Sequence, residues 1–186
     1  PYMQRPSTGC HAFSVDVNIA PAKGEPDGYE KGTDYGYIQL PTNYDPYGEP
    51  VRLIIVCHGA GAELATYQSN AWKNTNYSFW TELGYAVMDM FACPPALSED
   101  NSALHYGNPV VLDCYKAGYQ YVMEHFNLKK DGIFLIGSSM GGLSSFQIAQ
   151  SEEFDVIAQV GYCPVIDLFK QAYCNPWTIA SYQRSR

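Results

Sequence analysis

Polar and apolar residues alternate through "CHAFSVDVNIA" (10–20) and again through "DYGYIQLPT" (34–42), where a proline stops the run. Both stretches predict strands with one wet face, the first an edge strand. The connection "PAKGEPDGYEKG" between them is dense in turn formers. The pattern then changes. "VRLIIVC" (51–57) is apolar almost throughout and rich in β-branched residues, as in a central strand covered on both faces. "YAVMDMFA" (85–92), "GIFLIGS" (132–138) and "FDVIAQVGYCPV" (154–165) predict three more strands. Between these runs, 65–84 reads as a helix ending at Gly84, a suitable C-terminal glycine. In "VVLDCYKAGYQYVMEHF" (110–126) apolar residues recur at three- and four-residue steps, which predicts a second helix. "MGGLSSFQIAQSEE" (140–153) predicts a third. The prolines of "CPPALSEDNSALHYGNP" make that stretch irregular, and 166–186 reads as helix or loop with a new start at Asn175 or Pro176. Two strands followed by alternating strand and helix predict an α/β fold: a mostly parallel twisted sheet with helices on both faces. Ligands of such sheets bind at the C-terminal ends of the strands.

The chain has 186 residues, the size of one domain with a sizeable core. A hydrophobic content of 46% with 16% charged residues excludes a disordered chain. The net charge of −8, with 11 basic residues scattered along the chain, argues against nucleic-acid binding. No apolar run approaches the roughly 18 residues of a membrane span, and no signal-peptide pattern is present. The six cysteines include no C-x-x-C pair, so neither a zinc site nor a disulfide scaffold is expected. Cys57, Cys93 and Cys163 close apolar runs, where a free cysteine behaves as a small buried hydrophobe. The chain opens on Pro1 rather than Met, which points to an excised or mature piece. With the acidic, tyrosine-rich composition, that start leans toward a secreted or periplasmic protein.

The most informative stretch is "GSSMGG" (137–142), placed where a strand becomes a helix. Gly137-x-Ser139-x-Gly141 in that context is the arrangement that lifts a serine hydroxyl above a sheet on a sharp turn. The following helix aims its first N–H groups at the same spot. A dinucleotide fingerprint would need a glycine where Ser139 stands, and a phosphate loop would need a lysine after Gly142. A small-residue corner without chemistry is the remaining alternative. A second signal weighs against it: "CHGAGA" (57–62) follows the most apolar strand. Small residues there let a substrate carbonyl approach backbone N–H groups. The N–H of Met140 and that of Ala60 or Gly61 would then hold the developing oxyanion, each donor worth about 3 kcal/mol. His58 reads as a loop brace at the rim of the pocket rather than as a base.

The order of strand, "HGAG", helix, strand, helix, "GSSMGG", helix, strand resembles the α/β-hydrolase superfamily, and most of all its bacterial esterase-like members. The resemblance runs from about residue 10 to 166. It implies a serine esterase with Ser139 as nucleophile, Ala60, Gly61 and Met140 as oxyanion hole, and no metal or organic cofactor. The implied partner is a small-molecule or carbohydrate-linked ester, with no nucleic acid and no membrane span. The tyrosines with Trp72, Trp80 and Trp177 would suit an acylated carbohydrate or aromatic ester. A serine peptidase of the same fold, or an inactive binding module, are the alternatives.

The resemblance also implies a triad in the order serine, acid, histidine, and here all four histidines precede Ser139. His11 and His125 read as structural or surface residues, and His105 as a pocket-lining residue. Asp167, after the strand at 154–165, is the candidate acid, with a helix cap as its equal alternative. Asp89 is a weaker candidate, with a buried, hydrogen-bonded carboxylate as its alternative. These considerations lead to the expectation that 1–186 is the N-terminal portion of a single hydrolase domain, cut after its sixth strand, with the histidine supplied from beyond Arg186.

Overall fold

The computed structural model describes residues 9–21, 29–59, 77–92, 94, 106–167 and 170. In chain order these form β1 (Cys10–Pro21), β2 (Tyr29–Gln39), β3 (Leu53–Cys57), α1 (Ser78–Glu82) and β4 (Ala86–Met90). There follow α2 (Pro109–His125), β5 (Ile133–Ser138), α3 (Gly141–Gln150) and β6 (Val156–Tyr162). The strands form one sheet in the order β1-β2-β4-β3-β5-β6. β1 and β2 are antiparallel to each other, and β2 is antiparallel to β4. β4, β3, β5 and β6 run parallel. The expected mostly parallel sheet, with an alternating strand at its edge, is therefore what the chain builds.

Each central strand is where its composition puts it. β3 and β4 are buried at every position. Ile55, Cys57, Met88 and Met90 join Val111, Tyr115 and Val122 of α2 and Ile148 of α3 in the main core. Ile54, Val56 and Val87 form a second cluster, against which Tyr77, Trp80, Tyr85 and Phe134 pack. The sheet is thus covered from both sides, by α2 and α3 on one and by the α1 region on the other. Asn108 caps α2 by accepting from the Val111 N–H at 3.0 Å, and Pro109 takes the first turn, where a missing N–H costs nothing. α1 stops at Gly84, which takes the left-handed φ of +89°. The expected helix over 65–84 lies outside the described residues up to position 76.

β2 begins earlier than expected. Residues 29–33 belong to the ladder rather than to the turn, because Tyr29 pairs with Pro21 and Thr33 with Asp16. Cross-strand bonds satisfy backbone groups that local composition assigned to a loop. Among the described strands β6 is the other edge, with Ile157, Val160 and Tyr162 exposed. Cys163 departs from expectation. It is exposed at φ +45°, beyond the end of β6, in the turn that carries the chain back toward Ser139. Cys57 is buried as anticipated, and Cys93 lies outside the described residues. No helix among the described residues is long and apolar enough to cross a membrane.

Candidate active site

β5 ends at Ser138 and α3 begins at Gly141, so two residues make the turn. Ser139 takes φ +51°, a region that costs a residue with a Cβ about 1 kcal/mol or more. Three backbone bonds hold it there. Its N–H donates to Tyr162 O at 3.0 Å. Its carbonyl accepts from Gly142 N–H at 3.0 Å and from Val165 N–H at 2.6 Å. The turn is therefore clamped from α3 and from both sides of the β6 exit. Its consequence is a split: the Ser139 side chain is exposed while Met140 beside it is buried. Among the described residues the Ser139 hydroxyl makes no hydrogen bond, and the Met140 N–H donates to nothing.

The glycines are explained by what crowds them. A Cβ at Gly141 would overlap the carbonyl oxygens of Cys57 and His58, so the end of β3 lies directly on the turn. A Cβ at Gly59 would stand 3.1 Å from Ser139 Cβ and 3.3 Å from Ser138 O. Behind the turn, Ser145 donates to Gly142 O at 2.9 Å and accepts from Gln159 Nε2 at 2.8 Å, which ties the start of α3 to β6. Strand ends β3, β5 and β6 and the N-terminus of α3 therefore converge on one exposed hydroxyl. They do so at the C-terminal edge of the parallel strands, where such sheets place ligands.

His58 is buried, and its Nδ1 lies 3.0 Å from Gly59 O. In the tautomer protonated at Nδ1 it donates to that carbonyl and braces the loop. Ala60, Gly61 and His105 lie outside the described residues. Asp167 is exposed two residues past Val165, and its Oδ1 accepts from Lys170 N–H at 2.9 Å, the contact of a helix cap. His125 places Nδ1 2.8 Å from Tyr121 O and stacks on that ring, while His11 packs against Phe126. Both sit where α2 ends and the chain turns toward the start of β5, the sheet end opposite Ser139.

The site also contains a polar group whose environment sequence reasoning only half described. Asp89 of β4 is 1% exposed, with Tyr77 donating to Oδ2 at 3.0 Å and Tyr115 to Oδ1 at 3.1 Å. Val56 O lies equally near, at 3.1 Å, so the single Tyr115 proton is shared between that carbonyl and the carboxyl. Burial raises the Asp89 carboxyl to about 6, against the opposing pull of nearby His58, the two phenols and the Met90 N–H. Burial likewise pushes up the Tyr115 and Tyr77 hydroxyls and the Cys57 thiol. An aspartate inside the apolar run "YAVMDMFA" was the available signal, since a buried carboxylate demands donors. Nothing local in the sequence marks Tyr115 or Tyr77 as those donors.

Among proteins of known structure the chain is similar to XC6422 from Xanthomonas campestris, described as an α/β serine hydrolase without lid. The TM-score is 0.51 at 18% identity, covering 86% of this chain and 63% of that one. The chain has the α/β-hydrolase fold. It is similar also to a highly thermostable carboxyl esterase from Bacillus coagulans, with TM-score 0.51, 13% identity, and coverage of 83% and 44%. A puromycin-hydrolyzing peptidase from Mycobacterium tuberculosis gives TM-score 0.58 at 16% identity, covering 92% of this chain and 25% of that one. The chain thus spans less than two thirds of the length of these α/β-hydrolase-fold proteins. No family model and no curated protein matches it.

Proposed function

We propose that this protein is a serine hydrolase that cleaves carboxylic esters through an acyl-enzyme on Ser139. The observation that carries the proposal is the exposed Ser139, held at φ +51° on a strand-to-helix turn with Gly59 against its Cβ. This geometry supports reading the turn as a nucleophile elbow, with the loop after β3 as the oxyanion loop. Ser139 Oγ would attack the ester carbonyl while a base takes its proton. The carbonyl oxygen, now an alkoxide, would be held by the Met140 N–H and by that of Ala60 or Gly61. Collapse would expel the alcohol and leave the acyl group on Ser139, and water would release the acid. None of the described histidines hydrogen-bonds Ser139, so the proposal assigns the base to a histidine outside the described residues, with Asp167 orienting it. No metal or organic cofactor takes part in this scheme.

The exposed Tyr162 next to the turn supports a sugar-bearing or aromatic ester. Likeness to a puromycin-hydrolyzing peptidase supports peptide cleavage as a second reading. A fluorophosphonate probe tests the chemistry: the intact protein should form an adduct on Ser139 that Ser139→Ala lacks. No adduct at that position would end the serine-hydrolase reading. Parallel assays with nitrophenyl esters and aminoacyl amides then decide between ester and peptide substrates.

A further inference from the structure

The Asp89 group lies beneath the nucleophile turn, and its connections run to the 57–59 backbone that packs against Ser139. Asp89 pairs with Val56 across the β3–β4 ladder. Tyr115, rooted on α2, bonds both the Asp89 carboxyl and the Val56 carbonyl, so it joins β3, β4 and α2 at one point. The next residues along the chain are Cys57 and His58, whose carbonyls press on Gly141, and then Gly59 against Ser139. Tyr77 closes the group from the other layer. Such an arrangement has little slack. A shift of β3 relative to β4 at this point moves the 57–59 backbone against the nucleophile turn.

We propose that Asp89 and Tyr115 are positioning residues that set the 57–59 backbone against Ser139, and that ionisation of Asp89 controls how firmly they do so. The proposal rests on the serine-hydrolase reading for its effect on rate but not for its structural content. As a carboxylate, Asp89 accepts from both phenols at once, and its charge is felt by His58. Protonated, it becomes a donor as well as an acceptor, and the two phenols no longer meet a common anion. The titratable groups facing it, among the described residues, are His58 and Cys57 at the end of β3, Tyr37 on β2, Tyr77 before α1, and Tyr115 on α2. No second carboxylate is among them.

Two measurements on the intact protein test this. The first follows the Asp89 carboxyl carbon by NMR from pH 4.5 to 8. In the wild type it should report an ionisation near 6, and its resonance is absent from Asp89→Asn. Tyr115→Phe should move that midpoint upward, because a donor to the carboxylate is lost. The second is the rate of fluorophosphonate labelling over the same range. It should rise through that ionisation in the wild type, lack the step in Asp89→Asn, and fall about tenfold at pH 8 in Tyr115→Phe. A wild type that never labels defeats the serine-hydrolase reading and leaves the NMR arm to decide this one. Superimposable Asp89 titrations in the wild type and Tyr115→Phe would overturn the positioning role. Identical labelling profiles in a labelling wild type and Asp89→Asn would do the same. If Asp89→Asn fails to fold, the Tyr115→Phe midpoint carries the decision.

Discussion

Gly141→Ala puts one methyl group at the most crowded point of the candidate site. Its Cβ would overlap the carbonyl oxygens of Cys57 and His58, and both belong to backbone that cannot rotate away as a side chain could. The start of α3 must therefore part from the end of β3. Overpacking of this kind costs about 1–3 kcal/mol. The displacement falls between Ser139 and Gly59, so a separation on the order of 1 Å should slow the reaction of Ser139 by about a hundredfold. Gly84→Ala is the control. Gly84 takes φ +89° with nothing within 4 Å of its would-be Cβ, so its cost is backbone strain alone, about 1 kcal/mol. Urea melts report the stabilities and fluorophosphonate labelling of the intact protein reports the site. The expected outcome is two destabilised variants, of which only Gly141→Ala labels slowly. Wild-type labelling by Gly141→Ala would refute the claim that the 57–59 backbone sets the geometry of Ser139. Equal slowing in Gly84→Ala would show instead that labelling follows global stability.

Ser139→Gly should abolish labelling yet melt no lower than Ser139→Ala, because glycine removes the penalty of φ +51° that alanine keeps; a lower melting temperature for the glycine variant would contradict the strain assigned to this turn. The Asp89 carboxyl sits near 6 in the folded chain against 3.8 for the free side chain, so the folded state holds this proton to higher pH than the unfolded one. Its contribution of about 3 kcal/mol is thus fully present below pH 4 and is lost as pH rises through 6. Urea melts between pH 4 and 7 should show that loss in the wild type and a flatter profile in Asp89→Asn; parallel profiles would contradict it.

How much of this was legible in the chain depended on whether the cause was local. Alternation in 10–20 and the unbroken apolar run of 51–57 each follow from what one strand must bury, and β1 and β3 appear where those patterns stand. The turn at 137–142 was equally plain, because its small residues answer a steric demand that a short motif can state. The early start of β2 was hidden, since residues 29–33 join the ladder only by pairing with the far end of β1. The exposure of Cys163 was hidden for a related reason. Its place is decided by the return of Val165 to the Ser139 carbonyl, a contact between residues 26 apart in the chain.

Asp89 shows where the boundary lies. An aspartate in an apolar strand announces that partners exist, but the identity of those partners is a property of packing. Tyr115 reaches it from α2, and without the structure Tyr115 is one more aromatic residue on an apolar helix face. The same holds for the candidate site as a whole. The serine and the glycines are visible because they satisfy local geometry, whereas the contacts around them come from far along the chain: Tyr162 and Val165 at the turn, and Tyr115 bonded to Val56 and Asp89 beneath it. Sequence motifs therefore mark the proposed nucleophile here, and the residues proposed to position it are the ones motif reading passes over. If so, substitutions at Tyr115 should disturb Ser139 more than substitutions at exposed positions closer to it in the chain, such as Gln147.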